Sequence, residues 1–219
     1  MRTRLYIASS DPLTNSARFD RLALTIPEAR REKLAAYRNE GARRLSLAAS
    51  LLLVRALQDK GLHVDKIALS EYGKPYLPQL PDFHFSLSHS GNMALCAVSP
   101  VPVGCDIELP HKFDPAIARR FFHKTECAWL FSQPEAEQRD AFFRLWTCKE
   151  SFIKALGLGL FQPLDSFSVI PGEEVRLTQS ADPRPWQLRN FRDGECFISL
   201  CGLTGVAEAP LVRVDLGEA

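Results

Sequence analysis

Two short stretches hold the residue types that bind a hard cation and handle phosphate. In VGCDIEL, an extended backbone with a period of two puts Val103, Cys105, Ile107 and Leu109 on one face and Gly104, Asp106 and Glu108 on the other. Carboxylates two residues apart on a strand stand about 7 Å from each other, so one cation can lie between them directly or through water. Such a D-x-E face is also a common solvated pattern, and alone it specifies nothing.

The second stretch, AFFRLWTCKESFIKALG, has an apolar stripe at helical spacing through Phe142, Leu145, Trp146, Phe152, Ile153 and Leu156. Lys149 falls inside that stripe. A buried lysine needs an acidic partner, an anionic ligand or a route out of the core. Glu150 lies beside the stripe with Lys154 four residues on, a pair that on a bare surface contributes only a few tenths of a kcal/mol. If Glu150 joins Asp106 and Glu108, three oxygen ligands meet. That set suits Mg²⁺, or Mn²⁺, and lacks the His and Cys that zinc prefers.

Cationic and turn residues complete the chemistry. EYGKPYLP holds Lys74 between Gly73 and Pro75 in a turn, and SLSHSGN ends a strand with Ser88 and His89 beside backbone N–H groups that can receive phosphate. The basic helical region with Arg30, Arg31, Lys33, Arg43 and Arg44 can supply a phosphate clamp. Taken singly, Lys74 reads first as a solvated turn charge, His89 as a turn histidine bonded to backbone, and most of the basic helix as a solvated face.

These residues must be positioned by surrounding elements. RLYIAS reads as a strand, and Pro27 opens a helical segment, polar then apolar, that closes at Gly61. IALSEYGKPYLP contains a strand entering a turn; FHFSLSH, MALCAVS and VPVGCDIEL read as three adjacent strands. Asp114-Pro115 and Thr125-Glu126 begin short helices, a long helix runs from about Glu135 to Leu156, and Gly157 stops it. SFSVI, EVRLT, WQLRNF, CFISLCGL and LVRVDL follow as strands. Helix then strands, twice, predicts an α+β fold of two similar halves, 1–104 and 105–219.

Composition removes other classes. The chain has 219 residues, 46% hydrophobic, and a formal charge of +1 from 27 Lys+Arg against 26 Asp+Glu, so no overall field draws nucleic acid or an anionic membrane. Basic residues are not interleaved with aromatics as in a single-strand groove. Six cysteines without any C-x-x-C read as reduced thiols, and no run approaches the ~20 apolar residues of a membrane span. A cytoplasmic protein is expected.

PEARREK, EYGKPYLP, FHFSLSHSGN, VGCDIE, RFFHKTE and FFRLWTCKESFIKALGLGL…PLDSFSV occur in the order and approximate spacing of the Sfp-type 4′-phosphopantetheinyl transferases, which this chain resembles over roughly residues 5 to 170. The specific part is the G-[IVC]-D-[IVL]-E strand followed about forty residues later by W-x-x-K-E-[SA]. The resemblance implies two similar α+β halves packed as a pseudo-dimer, and transfer of 4′-phosphopantetheine from coenzyme A to a serine of an apo acyl or peptidyl carrier protein. It implies Asp106, Glu108 and Glu150 as Mg²⁺ ligands and Lys154 at the pyrophosphate. Ser88, His89, Gly73, Lys74, Pro75 and Arg44 would take the 3′-phosphate and adenosine end, with Lys33 and Arg30 as further basic positions.

In that chemistry the serine hydroxyl attacks the β-phosphorus of coenzyme A and adenosine 3′,5′-bisphosphate leaves. Glu150 is the expected base, with a water on the cation as its competitor; Lys154 and His89 complete the catalytic set. An acidic carrier calls for a basic and apolar docking surface, for which Phe113, Arg119, Arg120, Phe122, Lys124, Leu158 and Phe161 are candidates. Both halves in one chain imply a monomer, with a place in nonribosomal peptide or polyketide biosynthesis. The alternatives are a catalytically silent coenzyme A-binding regulator of a carrier-protein system and a metal phosphohydrolase.

Overall fold

The computed structural model describes residues 1–64, 66–172 and 175–218. Strand β1 (Arg4–Ser9) and helix α1 (Ser16–Ala23) precede the charged segment, which is two helices rather than one: α2 (Glu28–Ala36) and α3 (Glu40–Gln58). The break is a capping event. Tyr37 and Asn39 adopt extended backbone, and the Asn39 side chain accepts the Ala42 N–H at 2.9 Å, which starts a new helix where the old one stops.

The rest of the first half is a small β2–β3 hairpin (Ala68–Leu69, Pro75–Tyr76) and a larger one, β4 (His84–Ser90) with β5 (Met93–Ser99), turning at Gly91 with φ 61°. β6 (Val103–Glu108) then leads to α4 (Pro115–Phe121), α5 (Lys124–Ser132) and α6 (Glu135–Leu156). The strands that follow among the described residues are β7 (Ser168–Ile170), β8 (Arg176–Thr178), β9 (Gln187–Asp193), β10 (Cys196–Gly202) and β11 (Leu211–Arg213). The expected strand EVRLT includes Glu174, which lies outside the described residues.

The two main sheets repeat one topology. In the first, β1, α3 and the β4–β5 hairpin give the strand order β11-β1-β5-β4; in the second, β6, α6 and the β9–β10 hairpin give β6-β10-β9. Alternation along each strand divides the apolar residues between two faces. Leu5, Ile7, Leu95 and Ala97 meet Val103, Cys105, Ile107, Ile198 and Leu200 between the sheets. Tyr6, Phe85 and Cys96 face outward onto α3 residues such as Leu47 and Leu52, while Cys201 packs with Cys148 and Phe152 of α6. The layers therefore run helix, sheet, sheet, helix, an α+β arrangement.

Two expectations need correction. β6 is hydrogen-bonded to β10 and not to the β4–β5 hairpin, because the main chain crosses to the second sheet at residues 100–102. A boundary between 104 and 105 would cut β6. The C-terminal β11 also returns to the first sheet, pairing in parallel with β1 at Tyr6 and Val212.

Candidate active site

With Cys105 and Ile107 turned into the layer between the sheets, Gly104, Asp106 and Glu108 face α6. Gly104 permits the contact. A Cβ there would overlap the Ser151 carbonyl oxygen and the Ala155 amide nitrogen, so strand and helix backbones touch at this point. One turn along, Lys154 Nζ lies 2.6 Å from Asp106 Oδ1. Burial works against the ammonium, but the Asp106 carboxylate, with Glu150 and other neighbours adding to it, leaves the Lys154 pKa raised.

Strand β4 runs beside β6 and places three serines toward it. Ser86 Oγ accepts the Cys105 N–H, Ser88 Oγ donates to Asp106 Oδ1 at 2.7 Å, and Ser90 Oγ accepts the Leu109 N–H while donating to Glu108 at 2.6 Å. Hydroxyls thus join the two halves along a seam without a backbone ladder. Asp106 Oδ2 remains buried without a partner. Burial, then its neighbouring carboxylates, push the Glu150 carboxyl above its usual range; burial raises Glu108 too, with Ser90 working against it.

Ser86, Ser88, Asp106, Glu108, Glu150 and Lys154 line one cavity of about 870 Å³, together with Arg30, Lys33, Lys74 and His89. Part of its lining is cationic. Burial lowers the His89 pKa and Lys154, Lys33 and Arg30 lower it further; Lys33 is lowered by burial and by Arg30. Arg30 donates from Nε to Ser50 Oγ at 2.8 Å, and beside it Ser46, almost fully buried, has an Oγ with no partner and lines the same wall. Ser46 had no signal in sequence, where it is one hydroxyl within an apolar helix.

Several expected residues are placed elsewhere or differently. Arg44 is not among the cavity-lining residues; it approaches Glu40 at 3.7 Å on α3. Gly73 and Pro75 line the cavity, but the Lys74 ammonium donates to the carbonyls of Val103 at 3.0 Å and Ala155 at 3.2 Å. Lys149 is wholly buried and finds its acid in Glu126, with Nζ 2.6 and 2.7 Å from the carboxylate oxygens and 3.0 Å from the Phe167 carbonyl. Glu126 also accepts the His123 and Val169 N–H groups, so one carboxylate ties α5, α6 and β7 together.

Among the docking candidates, Phe122 is buried and stacked on Phe142, which withdraws it from any surface role. Phe113 also packs on Phe142. Arg119, Arg120 and Lys124 are exposed, as is Phe161 at 77%, edge-on to Tyr72 at the cavity mouth; Leu158 is half-buried. Phe121, which lines the cavity, joins the exposed apolar residues.

Among the described residues, no three His, Cys, Asp or Glu side chains are gathered closely enough to hold a metal. Asp106 and Glu108 are instead bonded to Lys154, Ser88 and Ser90. The donor set nevertheless fits a hard divalent cation: oxygen only, one buried oxygen orphaned, and two carboxyls held above their usual range by burial. No helix among the described residues is long and apolar enough to cross a membrane.

Residues 102–201 match the family model described as the 4′-phosphopantetheinyl transferase superfamily. The chain is 42% identical over 162 residues to the 4′-phosphopantetheinyl transferase Sfp of Bacillus subtilis, covering 72% of this chain and 71% of the relative. A second Bacillus subtilis 4′-phosphopantetheinyl transferase is 41% identical over 169 residues, covering 76% and 75%. Among solved structures, the holo-[acyl-carrier-protein] synthase of Thermotoga maritima is similar with a TM-score of 0.41 and 20% identity, over 47% of this chain and 62% of that one.

Proposed function

Because the chain belongs to the 4′-phosphopantetheinyl transferase superfamily, and so moves phosphopantetheine from coenzyme A to apo carrier proteins, we propose that the β6–α6 contact is where this transfer occurs. The observation that carries the reading is one cavity lined by an acidic cluster, Asp106, Glu108 and Glu150, and a cationic cluster, Arg30, Lys33 and His89. Coenzyme A has the matching polarity: a pyrophosphate that needs a cation between it and carboxylates, and a separate 3′-phosphate that needs basic groups.

Asp106, Glu108 and Glu150 would hold Mg²⁺, with Mn²⁺ as a substitute, and the cation would supply charge neutralisation at the pyrophosphate. Lys154 stands against Asp106 at the same place and stabilises negative charge on the departing phosphate. Arg30, Lys33, His89 and the unpartnered Ser46 hydroxyl receive the 3′-phosphate. Gly73 and Pro75 border the adenosine.

The carrier serine oxygen forms a bond to the β-phosphorus as the bond from that phosphorus to the bridging oxygen breaks. Adenosine 3′,5′-bisphosphate leaves with the electron pair, and the serine proton passes to Glu150. Glu150 is held for this on the rigid helix α6, four residues before Lys154. The carrier meets Arg120 and Phe121 of the cavity lining and Phe161 beside Tyr72, with Arg119 and Lys124 exposed on the same α4–α5 segment, a basic and apolar surface suited to an acidic partner. The protein acts as a monomer in the cytoplasm, on carriers of polyketide or nonribosomal peptide synthesis.

The test is product balance. With apo carrier, coenzyme A and Mg²⁺, adenosine 3′,5′-bisphosphate should appear in equal amount to modified carrier and should not form without carrier or after chelation. Phosphate release from coenzyme A alone would instead identify a phosphohydrolase, and tight binding without product a silent regulator.

A further inference from the structure

Lys74 sits in a turn that fixes its direction. Ser70 N–H donates to the Lys74 carbonyl at 2.9 Å, the Lys74 N–H donates to Ser70 Oγ at 3.0 Å, and Gly73 takes a φ of 81° that a side chain would resist. The side chain crosses from the first half into the second. Its stem lies over Gly157, where a Cβ would come within 2.9 Å of Lys74 Cδ, and Gly157 itself ends α6 at φ 77°. Beyond it, Nζ donates to the carbonyls of Val103 and Ala155.

Those two carbonyls are not arbitrary. Ala155 lies in the last turn of α6, where no following N–H of the helix can satisfy its oxygen. Val103 is the first residue of β6. Their chain neighbours are the groups that do the chemistry: Lys154 precedes Ala155, and Asp106 lies three residues after Val103. Between them is Gly104, where the two backbones touch. Burial lowers the Lys74 pKa to about 8.

We propose that Lys74 is a positioning residue, a strap that ties the end of α6 to the start of β6 and thereby sets the contact between Lys154 and Asp106, and that it is not a ligand for the 3′-phosphate. The inference rests on the transfer reading for its consequence in catalysis, but its structural half does not.

Lys74→Met keeps the unbranched stem over Gly157 and removes the donors; Lys74→Gln keeps a polar end and carries the same comparisons if the first variant does not fold. Three measurements bear on the strap. Transfer is followed with coenzyme A and with dephospho-coenzyme A, which lacks the 3′-phosphate. Coenzyme A binding is measured by calorimetry, and backbone amide exchange is followed at 104–106 and 155–157. The expected result is a kcat lower by about tenfold or more with both substrates, a preference for coenzyme A over dephospho-coenzyme A within about twofold of wild type, and a largely unchanged Kd. Amide exchange in the two segments should quicken selectively, by about tenfold. A lost preference for coenzyme A would show Lys74 gripping the 3′-phosphate and would overturn the proposal, as would unchanged kcat or unchanged exchange. Absence of transfer by the wild-type protein would sink the functional reading alone, since amide exchange still decides the strap.

Discussion

Lys154 Nζ and Asp106 Oδ1 stand 2.6 Å apart although one belongs to a helix and the other to a strand 48 residues earlier. The approach depends on Gly104, whose missing side chain lets the strand backbone meet the Ser151 carbonyl and the Ala155 amide. Gly104→Ala should therefore separate strand from helix. Overpacking at a backbone contact costs about 1–3 kcal/mol or more, so a lower melting temperature is expected along with near-complete loss of transfer in the folded fraction. Normal stability with normal transfer would contradict the geometry.

Glu150→Gln separates chemistry from stability. The Glu150 carboxyl is raised in the folded protein, chiefly by burial and next by Asp106, so its contribution to stability is present below the unfolded pKa and lost as pH rises through the folded one. At pH 7 the charged side chain is a burden in the metal-free protein. The glutamine variant should melt higher than wild type at pH 7, show no such gain near pH 4, and gain less from added Mg²⁺ while losing transfer. Equal stabilisation of both proteins by Mg²⁺ would remove Glu150 from the cation site.

Much of this arrangement is legible in sequence, and the parts that are not have physical reasons. Period two on VGCDIEL separates Asp106 and Glu108 from the apolar face, and helical spacing puts Glu150 and Lys154 four apart. That Lys149 needs a partner also follows, but Glu126 does not, because a partner on another helix leaves no periodic trace. The division at Asn39 was readable as a cap and was obscured by helix formers on both sides. Basic residues in a helix do not announce which of them faces a cavity; Arg44, implied there by the resemblance, lies outside the lining, and Ser46, which carries no signal in sequence, lies within it.

The Lys149–Glu126 pair is buried on both sides, and burial drives the lysine pKa down and the glutamate pKa up. Lys149→Met leaves Glu126 buried without its cation and should cost about 3–5 kcal/mol. Adding Glu126→Gln should recover part of that loss, as read from chemical denaturation. A single variant as stable as wild type would show that the pair contributes nothing to the fold.

His89 gives the cationic cluster a pH signature. Its pKa is lowered by burial and by Lys154, Lys33 and Arg30, so it is neutral in the empty cavity at pH 7, and an incoming phosphate reverses that field. Coenzyme A should bind more tightly as pH falls from about 8 to about 6, with proton uptake detected by calorimetry in buffers of different ionisation enthalpy. His89→Gln should flatten the dependence. Equal proton uptake in that variant would place the titrating group elsewhere.

The most direct measurement is the intact mass of an apo carrier protein after incubation with coenzyme A, Mg²⁺ and either the wild-type protein or its Glu150→Gln variant. The account predicts that the carrier gains one phosphopantetheinyl group with wild type and none with the variant. No gain with wild type on fatty-acid, polyketide or peptide carriers would contradict the activity, and equal gain with both proteins would contradict the site.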